Sequence, residues 1–126
     1  MTGETAVIAA VSSPPGRSPR GIVRVSGNAL APLLDVVFDR RPTPRQLTAL
    51  RFRFDERLAL PCLAAFFPAP HSYTGEDMLE VQMPGNPALL DRVLHRVMGA
   101  AEAMGRPARL AEPGEFTRRS FLAGRI

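Results

Sequence analysis

The sequence has no lysine, only one cysteine and only two histidines among its 126 residues. Without lysine, the chain offers neither Schiff-base chemistry nor a phosphate loop built around a lysine. A single cysteine, Cys62, makes neither an internal disulfide nor a multi-cysteine zinc site, and His71 and His95 add little for a metal. These shortages argue against metal catalysis.

Long apolar runs are also missing, since stretches such as 63–67 are only a few residues long. Spanning a bilayer takes roughly 20 apolar residues, so we do not expect a membrane protein. Residues 1–4 lack the basic region and apolar run of a secretory signal, which favours a cytoplasmic location. A hydrophobic content of 45% predicts one globular domain over residues 1–126.

Signatures of a catalytic nucleophile are absent as well. The sequence contains no Gly-x-Ser-x-Gly motif and no glycine-rich phosphate loop, and Cys62 lies among apolar residues, as a core side chain does. The net charge of +4 comes from residues 1–60, mainly from the six arginines of 40–57. That surplus either steers an anionic partner such as RNA or a polyglutamate tail, or forms an ordinary solvated face. The composition favours a ligand binder over a complete catalytic machine.

Short segments of apolar or alternating residues predict the strands. The predicted strands are 5–11, 21–25, 47–54, 58–67 and 77–83, with 108–111 as a possible short strand. The prolines and glycine of 12–16 break the first of them. Pro61 suggests that the fourth lies at an edge or carries a bulge, because proline cannot donate to a ladder.

Three segments have helical spacing. Residues 28–38 predict a helix with Ser26 or Asn28 as N-cap, in which Pro32 is tolerated only in the first turn. The clearest helix follows Pro87, and 113–115 begins a last helix that runs through Leu122. About five strands and about three helices predict a compact α+β domain around a mixed sheet.

Two charged residues do not fit their strands. Arg24 stands within Ile-Val-Arg-Val, and Glu80 stands within Met-Leu-Glu-Val. They are either unrelated surface residues, or a structural ion pair, or the anion and cation of a pocket for a flat polar ligand. A carboxylate suits the N–H edge of an amidine-like heterocycle, and an arginine suits a carbonyl or carboxylate.

Polar residues also gather at 72–77, a turn that contains the only tyrosine, Tyr73, beside Thr74. This stretch is either an ordinary turn or a binding loop on a rigid scaffold. Glu115 and Arg119 are four residues apart on the last helix, where a pair contributes only about 0.2 to 0.5 kcal/mol. Arg125 follows Gly124, a helix terminator, so its side chain leaves the helix and is able to reach a ligand.

Taken together, four segments resemble one family closely. They are PPGR at 14–17, GIVRVSG at 21–27, FPAPHSYTGED at 67–77 and AEPGEFTRRSFL at 111–122. They resemble the N-terminal domain of the MnmE family of tRNA modification GTPases, also called TrmE. The resemblance covers nearly the whole chain in the right order. It implies a fold similar to the folate-binding domain of aminomethyltransferases.

The resemblance implies a ligand and places its contacts. The family's N-terminal domain binds a tetrahydrofolate, as the 5-formyl or 5,10-methylene form, and mediates homodimerisation. By the family's pattern the cofactor contacts fall on Arg24, Glu80 and Arg125, with Tyr73 and Thr74 as further candidates. Arg125 stands where relatives usually have lysine, so the charge is kept while the hydrogen-bond geometry differs.

The resemblance also implies the setting of the domain. In the family, a FAD-containing MnmG (GidA-type) partner and tRNA act with the full-length protein on the wobble uridine. GTP, Mg²⁺ and K⁺ would belong to a GTPase domain that this chain does not contain, so we expect this domain alone not to be catalytic. The chain is then either an excised domain or a stand-alone copy.

Two stretches depart from the family's pattern. Residues 83–87 replace a Gly/His/Gly-Gly run, and 18–20 replace a glycine-rich turn. Both changes stiffen predicted loops near the pocket. The alternative function is therefore a dimerisation or interaction module that has lost folate binding.

Overall fold

Six strands and three helices form within residues 6–12 and 16–126, which the computed structural model describes. In chain order they are β1 (Val7–Val11), β2 (Ser18–Gly27), α1 (Ala31–Val37), β3 (Thr48–Arg53), β4 (Ala59–Phe67), β5 (Asp77–Gly85), α2 (Pro87–Ala103), β6 (Ala108–Leu110) and α3 (Glu115–Leu122). The predicted α+β fold is confirmed, and the possible strand at 108–111 is the sixth strand.

The strands make one mixed sheet in the order β3-β4-β5-β2-β1-β6. Each neighbouring pair is antiparallel except β1 and β6, which are parallel. β4 pairs with β5 only from Leu63 onward, so Pro61 has a strand neighbour on one side alone, that of β3. The prediction that the fourth strand lies at an edge or carries a bulge was wrong, since β4 is an interior strand with a regular register. Pro61 is tolerated because it stands in the part of β4 that has no partner in β5.

One face of the sheet packs on α1 and α2 and forms the core. Alternation along β3 buries Leu50 and Phe52 on this face while Arg51 and Arg53 stay exposed, as predicted. Phe52 makes edge-on ring contacts with Phe38 and Phe54, with centroids 5.9 and 4.9 Å apart. The opposite face, which we call the second face, carries Arg24, Ser26 and Glu80 at alternate positions of β2 and β5.

The start of α1 differs from the prediction. Ser26 and Asn28 do not cap α1, because Leu30 occupies the N-cap position with no side-chain cap. The Ser26 hydroxyl is instead bonded to Thr74 and Glu76 on the second face. Pro32 lies in the first turn, as the prediction required. Thr5 lies outside the described residues, and so do residues 13–15 of the stretch 12–16 that was predicted to break the first strand.

Of the two stretches predicted as stiffened loops, 18–20 belong to β2 and 83–85 to β5, while Asn86 is the N-cap of α2 and Pro87 its first residue. Ser18 of β2 lies opposite Gly85 of β5, across a register shift that ends at Gly21. β2 and β5 are therefore longer than predicted, because residues of each strand beyond the predicted boundaries find hydrogen-bonding partners in the other. In the same described part of the chain, no helix combines the length and apolar character needed to cross a bilayer.

We expect the substitution of glycine by alanine to have opposite effects on the free energy of unfolding at Gly85 and at Gly99. A Cβ on Gly85 would overlap with the carbonyl oxygen of Ser18, whereas a Cβ on Gly99 meets no atom within 4 Å. We expect Gly85→Ala to lower the free energy of unfolding by about 1 to 3 kcal/mol. Gly99→Ala, in α2, should raise it by roughly 0.5 to 1 kcal/mol. Urea denaturation checks both, and an unchanged or raised stability of Gly85→Ala would contradict the packing at Gly85.

Candidate functional site

Arg24 of β2 and Glu80 of β5 lie directly opposite each other on the second face, because of the antiparallel register of their strands. The Nε group of Arg24 donates to Oε2 of Glu80 at 3.0 Å, and Nη2 forms an ion pair with the same oxygen at 2.8 Å. The side chains are 35% and 21% exposed. The structure thus brings these two predicted site residues together as an ion pair, which was one of the alternatives.

The Arg24–Glu80 pair lines a cavity of about 300 Å³. Phe67 at the end of β4, Met78 of β5 and Tyr73 of the connecting loop complete its lining. In the described part of the chain, Oε1 of Glu80 and Nη1 of Arg24 make no further hydrogen bond. A carboxylate oxygen and a guanidinium N–H beside apolar walls suit a flat heterocycle with polar edges.

Tyr73 and Thr74 belong to the loop 68–76, which joins β4 to β5. The Tyr73 ring is about half exposed and faces the cavity, and its hydroxyl lies 3.1 Å from Oγ1 of Thr117 in α3. Thr74 is buried and does not line the cavity, since its hydroxyl is bonded to that of Ser26 at 2.8 Å. Of these two candidates, only Tyr73 is placed to touch a ligand.

Arg125 lies beside the same loop. Gly124 adopts a φ of 75°, which ends α3 and turns the exposed Arg125 side chain away from the helix, as predicted. Its Cγ and Cδ atoms stand 3.8 Å from the position of a Cβ on Gly75. Arg125 is therefore next to the loop that carries Tyr73, while it is not part of the cavity lining.

An ion cluster joins this loop to β6 and α3. Its members are Glu76, Glu115 and Arg119, which are mostly or fully buried, and Arg109, which is 35% exposed. Arg119 is 3% exposed, and it donates to Glu76 at 2.9 and 3.2 Å and to Glu115 at 3.2 Å. Arg109 donates to both carboxylate oxygens of Glu115 at 2.6 Å. The predicted pairing of Glu115 and Arg119 is confirmed. Both side chains are buried, so the small contribution of an isolated helix pair does not describe this one.

The electrostatics of the cluster hold Glu115 ionised. Hydrogen bonds from Arg109 lower the pKa of Glu115 to about 2, against the opposing effect of burial, and the Glu112 N–H adds to them. The sequence analysis missed the roles of Glu76 and Arg109. In the sequence, only the i,i+4 spacing of Glu115 and Arg119 indicated part of the cluster. Such a spacing predicts a pair on one helix, but it says nothing about burial or about partners from other elements.

The single thiol is part of the core. Cys62 is buried in the core cluster, and burial raises its pKa to about 11, so it stays protonated at neutral pH. The prediction of a core cysteine is confirmed. Across residues 6–12 and 16–126, no group of three or more histidine, cysteine and acidic side chains is placed to hold a metal ion.

The residues that depart from the family's pattern line a different cavity. Pro19, Arg20, Met83 and Pro84 surround a space of about 370 Å³ with Gln82 and Leu63. None of them lines the Arg24–Glu80 cavity. The predicted placement of these residues in loops was wrong, because 18–20 and 83–85 are strand residues. Their effect on a ligand stays a prediction.

Several arginines of 40–57 are engaged locally. Arg41 forms a bidentate pair with Asp35 at 2.7 and 2.8 Å, which lowers the pKa of that carboxyl. Arg40 and Arg51 donate to the backbone carbonyls of Ala49 and Ala59. These exposed contacts are typical of a solvated face. Steering of RNA by this segment stays a prediction.

Comparison with known proteins gives the family. Residues 7–125 match the family model described as "GTP-binding protein TrmE N-terminus". The chain is 48% identical, over 94% of its length, to a tRNA modification GTPase MnmE of Paracidovorax citrulli. It is 50% identical, over 96% of its length, to the tRNA modification GTPase MnmE of Bordetella parapertussis. It is 43% identical, over 98% of its length, to the tRNA modification GTPase MnmE of Sodalis glossinidius.

The chain spans about a quarter of the length of these relatives, 26 to 27%. The family model nonetheless covers nearly all of its residues, including every strand and helix described above. The chain therefore belongs to the family of TrmE N-terminal domains, those of tRNA modification GTPases.

Proposed function

We propose that this domain binds the pterin part of a tetrahydrofolate derivative, the 5-formyl or 5,10-methylene form, in the Arg24–Glu80 cavity. The observation that carries the proposal is the paired carboxylate and guanidinium within a partly apolar cavity. A pterin presents adjacent N–H groups along one edge, and two such groups suit a single carboxylate. At about 300 Å³, the cavity is at the small end for a ligand, which suits the ring rather than the whole cofactor.

Each residue has a separate part in this binding. Glu80 would accept N–H groups of the ring through Oε1, and Arg24 would donate through Nη1 while it keeps its bond to Glu80. Phe67 and Tyr73 would cover the ring faces, and Arg125, at the neighbouring side of the loop, would attract the carboxylates of the glutamate tail. Thr74 would not touch the ligand. Its hydroxyl is hydrogen-bonded to that of Ser26, and this bond would help to hold the loop next to Tyr73.

The proposal extends to the whole protein through the family. The folate would supply a one-carbon unit for tRNA wobble-uridine modification, with a FAD-containing MnmG-type partner, in the cytoplasm. The domain would also form a homodimer; support for this comes from family membership. GTP hydrolysis with Mg²⁺ and K⁺ would take place in a separate domain of the full-length protein.

Calorimetry with 5-formyltetrahydrofolate tests the ligand. The wild type should bind one ligand per protomer, and Glu80→Gln should bind about 10 to 100-fold more weakly, because it loses charge-assisted hydrogen bonds of about 1.5 to 3 kcal/mol. Glu102→Gln, which changes an exposed carboxylate at the end of α2, is the matched control and should bind as the wild type does.

Two results would overturn this proposal. One is the absence of binding heat with the wild type. The other is equal affinity of Glu80→Gln and the wild type. If sedimentation also shows a stable dimer that binds no folate, the alternative of a pure dimerisation module is selected.

A further inference from the structure

The cavity wall at Tyr73 stands on a loop that has no strand partners of its own. The loop 68–76 contains no helix or strand, and the Tyr73 ring is about half exposed. An exposed ring on such a loop samples several positions unless other contacts hold it. The width of the cavity therefore depends on what fixes this loop.

Two side-chain contacts join the loop to α3 at separate points. The Tyr73 hydroxyl lies 3.1 Å from Oγ1 of Thr117 at the surface of the helix. Glu76, at the end of the loop, accepts from Arg119 of α3 at 2.9 and 3.2 Å and from Ser26 of β2 at 2.8 Å. The loop is thus bonded to a helix and to a central strand at the same time.

Close packing adds to these bonds. A Cβ on Gly75 would stand 3.0 Å from the Ala123 side chain, just past the end of α3. The helix is itself fixed to the sheet edge, because Glu115 takes two hydrogen bonds from Arg109 of β6. A continuous path of contacts therefore runs from the sheet through α3 to the ring that lines the cavity.

We infer that Thr117, Glu76 and Arg119 are positioning residues, through which α3 holds Tyr73 in place as a wall of the Arg24–Glu80 cavity. None of the three lines the cavity. The consequence for ligand affinity rests on the proposed function, whereas the placement of Tyr73 does not. If loosening leaves the loop in its binding position about a tenth of the time, the apparent dissociation constant rises about tenfold.

The sequence provides a direct probe of the loop. Tyr73 is the only tyrosine and the chain has no tryptophan, so tyrosine fluorescence reports on this one ring. Thr117→Val is isosteric and lies at the surface, and Glu76→Gln keeps an oxygen that accepts from Arg119. Neither change leaves a buried carboxylate without a cation, so both variants should fold. Arg118→Met is the control, because Arg118 is on the same helix and contacts Glu112 and Glu115 but not the loop.

The first experiment measures acrylamide quenching and anisotropy of Tyr73 in ligand-free protein. We expect Thr117→Val and Glu76→Gln to increase quenching and lower the anisotropy, while Arg118→Met matches the wild type. Unchanged fluorescence in both loop variants would overturn the inference. An equal change in Arg118→Met would also overturn it, because general loosening of the fold would then be the cause.

The second experiment measures the affinity for 5-formyltetrahydrofolate. Thr117→Val should raise the dissociation constant about tenfold at an unchanged unfolding midpoint, and should have no further effect in a Tyr73→Phe background. Full additivity of the two substitutions would contradict action through Tyr73. A wild type that binds no folate, together with mobilised Tyr73 in the variants, would reject the proposed ligand and support the positioning role.

Discussion

Replacing Arg119 by methionine is expected to lower the free energy of unfolding by about 3 to 5 kcal/mol. Arg119 is the cation shared by Glu76 and Glu115. The side chains of Arg119 and Glu115 are almost fully buried, and that of Glu76 is mostly buried. Methionine keeps the approximate length of the side chain but removes the cation that pairs with the mostly buried Glu76. Glu115 loses one of its cations and keeps Arg109 and Arg118. A buried carboxylate that loses its cation is costly because the water that solvated it in the unfolded chain is not restored.

Arg41→Met is the matched comparison for this effect. Arg41 and Asp35 approach to 2.7 Å, as closely as any pair in the cluster except Arg109–Glu115, but both side chains are 56% exposed. Loss of an exposed pair costs at most about 1 kcal/mol. Urea denaturation of the two variants decides the matter. Equal losses would show that Arg119 is solvated in solution and that α3 is not packed as described.

The second large effect is the response of the wild type to acid. The pKa of Glu115 is about 2 in the folded protein, against an ordinary value of 4.5. A carboxyl whose pKa is lowered by folding stabilises the folded state above its unfolded pKa, and loses that contribution as the pH falls through the folded pKa. The difference corresponds to about 3 kcal/mol, lost between about pH 4.5 and pH 2.

Glu115→Gln isolates this contribution. The variant should be less stable than the wild type at neutral pH, and the gap should narrow by about 3 kcal/mol as the pH falls to 2. Other carboxyls with lowered pKa values, such as Asp39 and Asp55, affect both proteins alike and cancel in the comparison. Urea denaturation at several pH values measures the gap. A gap that does not depend on pH would contradict the buried bidentate pair with Arg109.

The strands could be predicted from the sequence, and so could the two charged residues of the cavity, Arg24 and Glu80. Alternation along β3 gave its buried face, and Arg24 and Glu80 stood out because each interrupts an apolar strand. Their pairing followed only from the register of β2 and β5. Register is a long-range property, since the two residues are 56 positions apart, and no local pattern specifies which residues meet.

The features missed by sequence were those that depend on how α3 and the loop 68–76 pack on the second face. Serine is a favoured N-cap residue, yet the Ser26 hydroxyl is hydrogen-bonded to Thr74 and Glu76 of a loop that is distant in sequence. Glu115 and Arg119 have the spacing of a surface pair, yet the sheet beneath α3 buries them. In both cases the local preference is weak, and tertiary contacts worth more determine the outcome.

The most direct test of the central claim, that the Arg24–Glu80 cavity is the folate site, is an amide chemical-shift titration. At 13.7 kDa, the isotopically labelled chain suits this measurement. Addition of 5-formyltetrahydrofolate should shift the amide signals of Arg24, Phe67, Tyr73, Met78 and Glu80 together, with a single dissociation constant. Saturating ligand that leaves these signals in place, or shifts only those around the second cavity at Pro19 and Pro84, would contradict it.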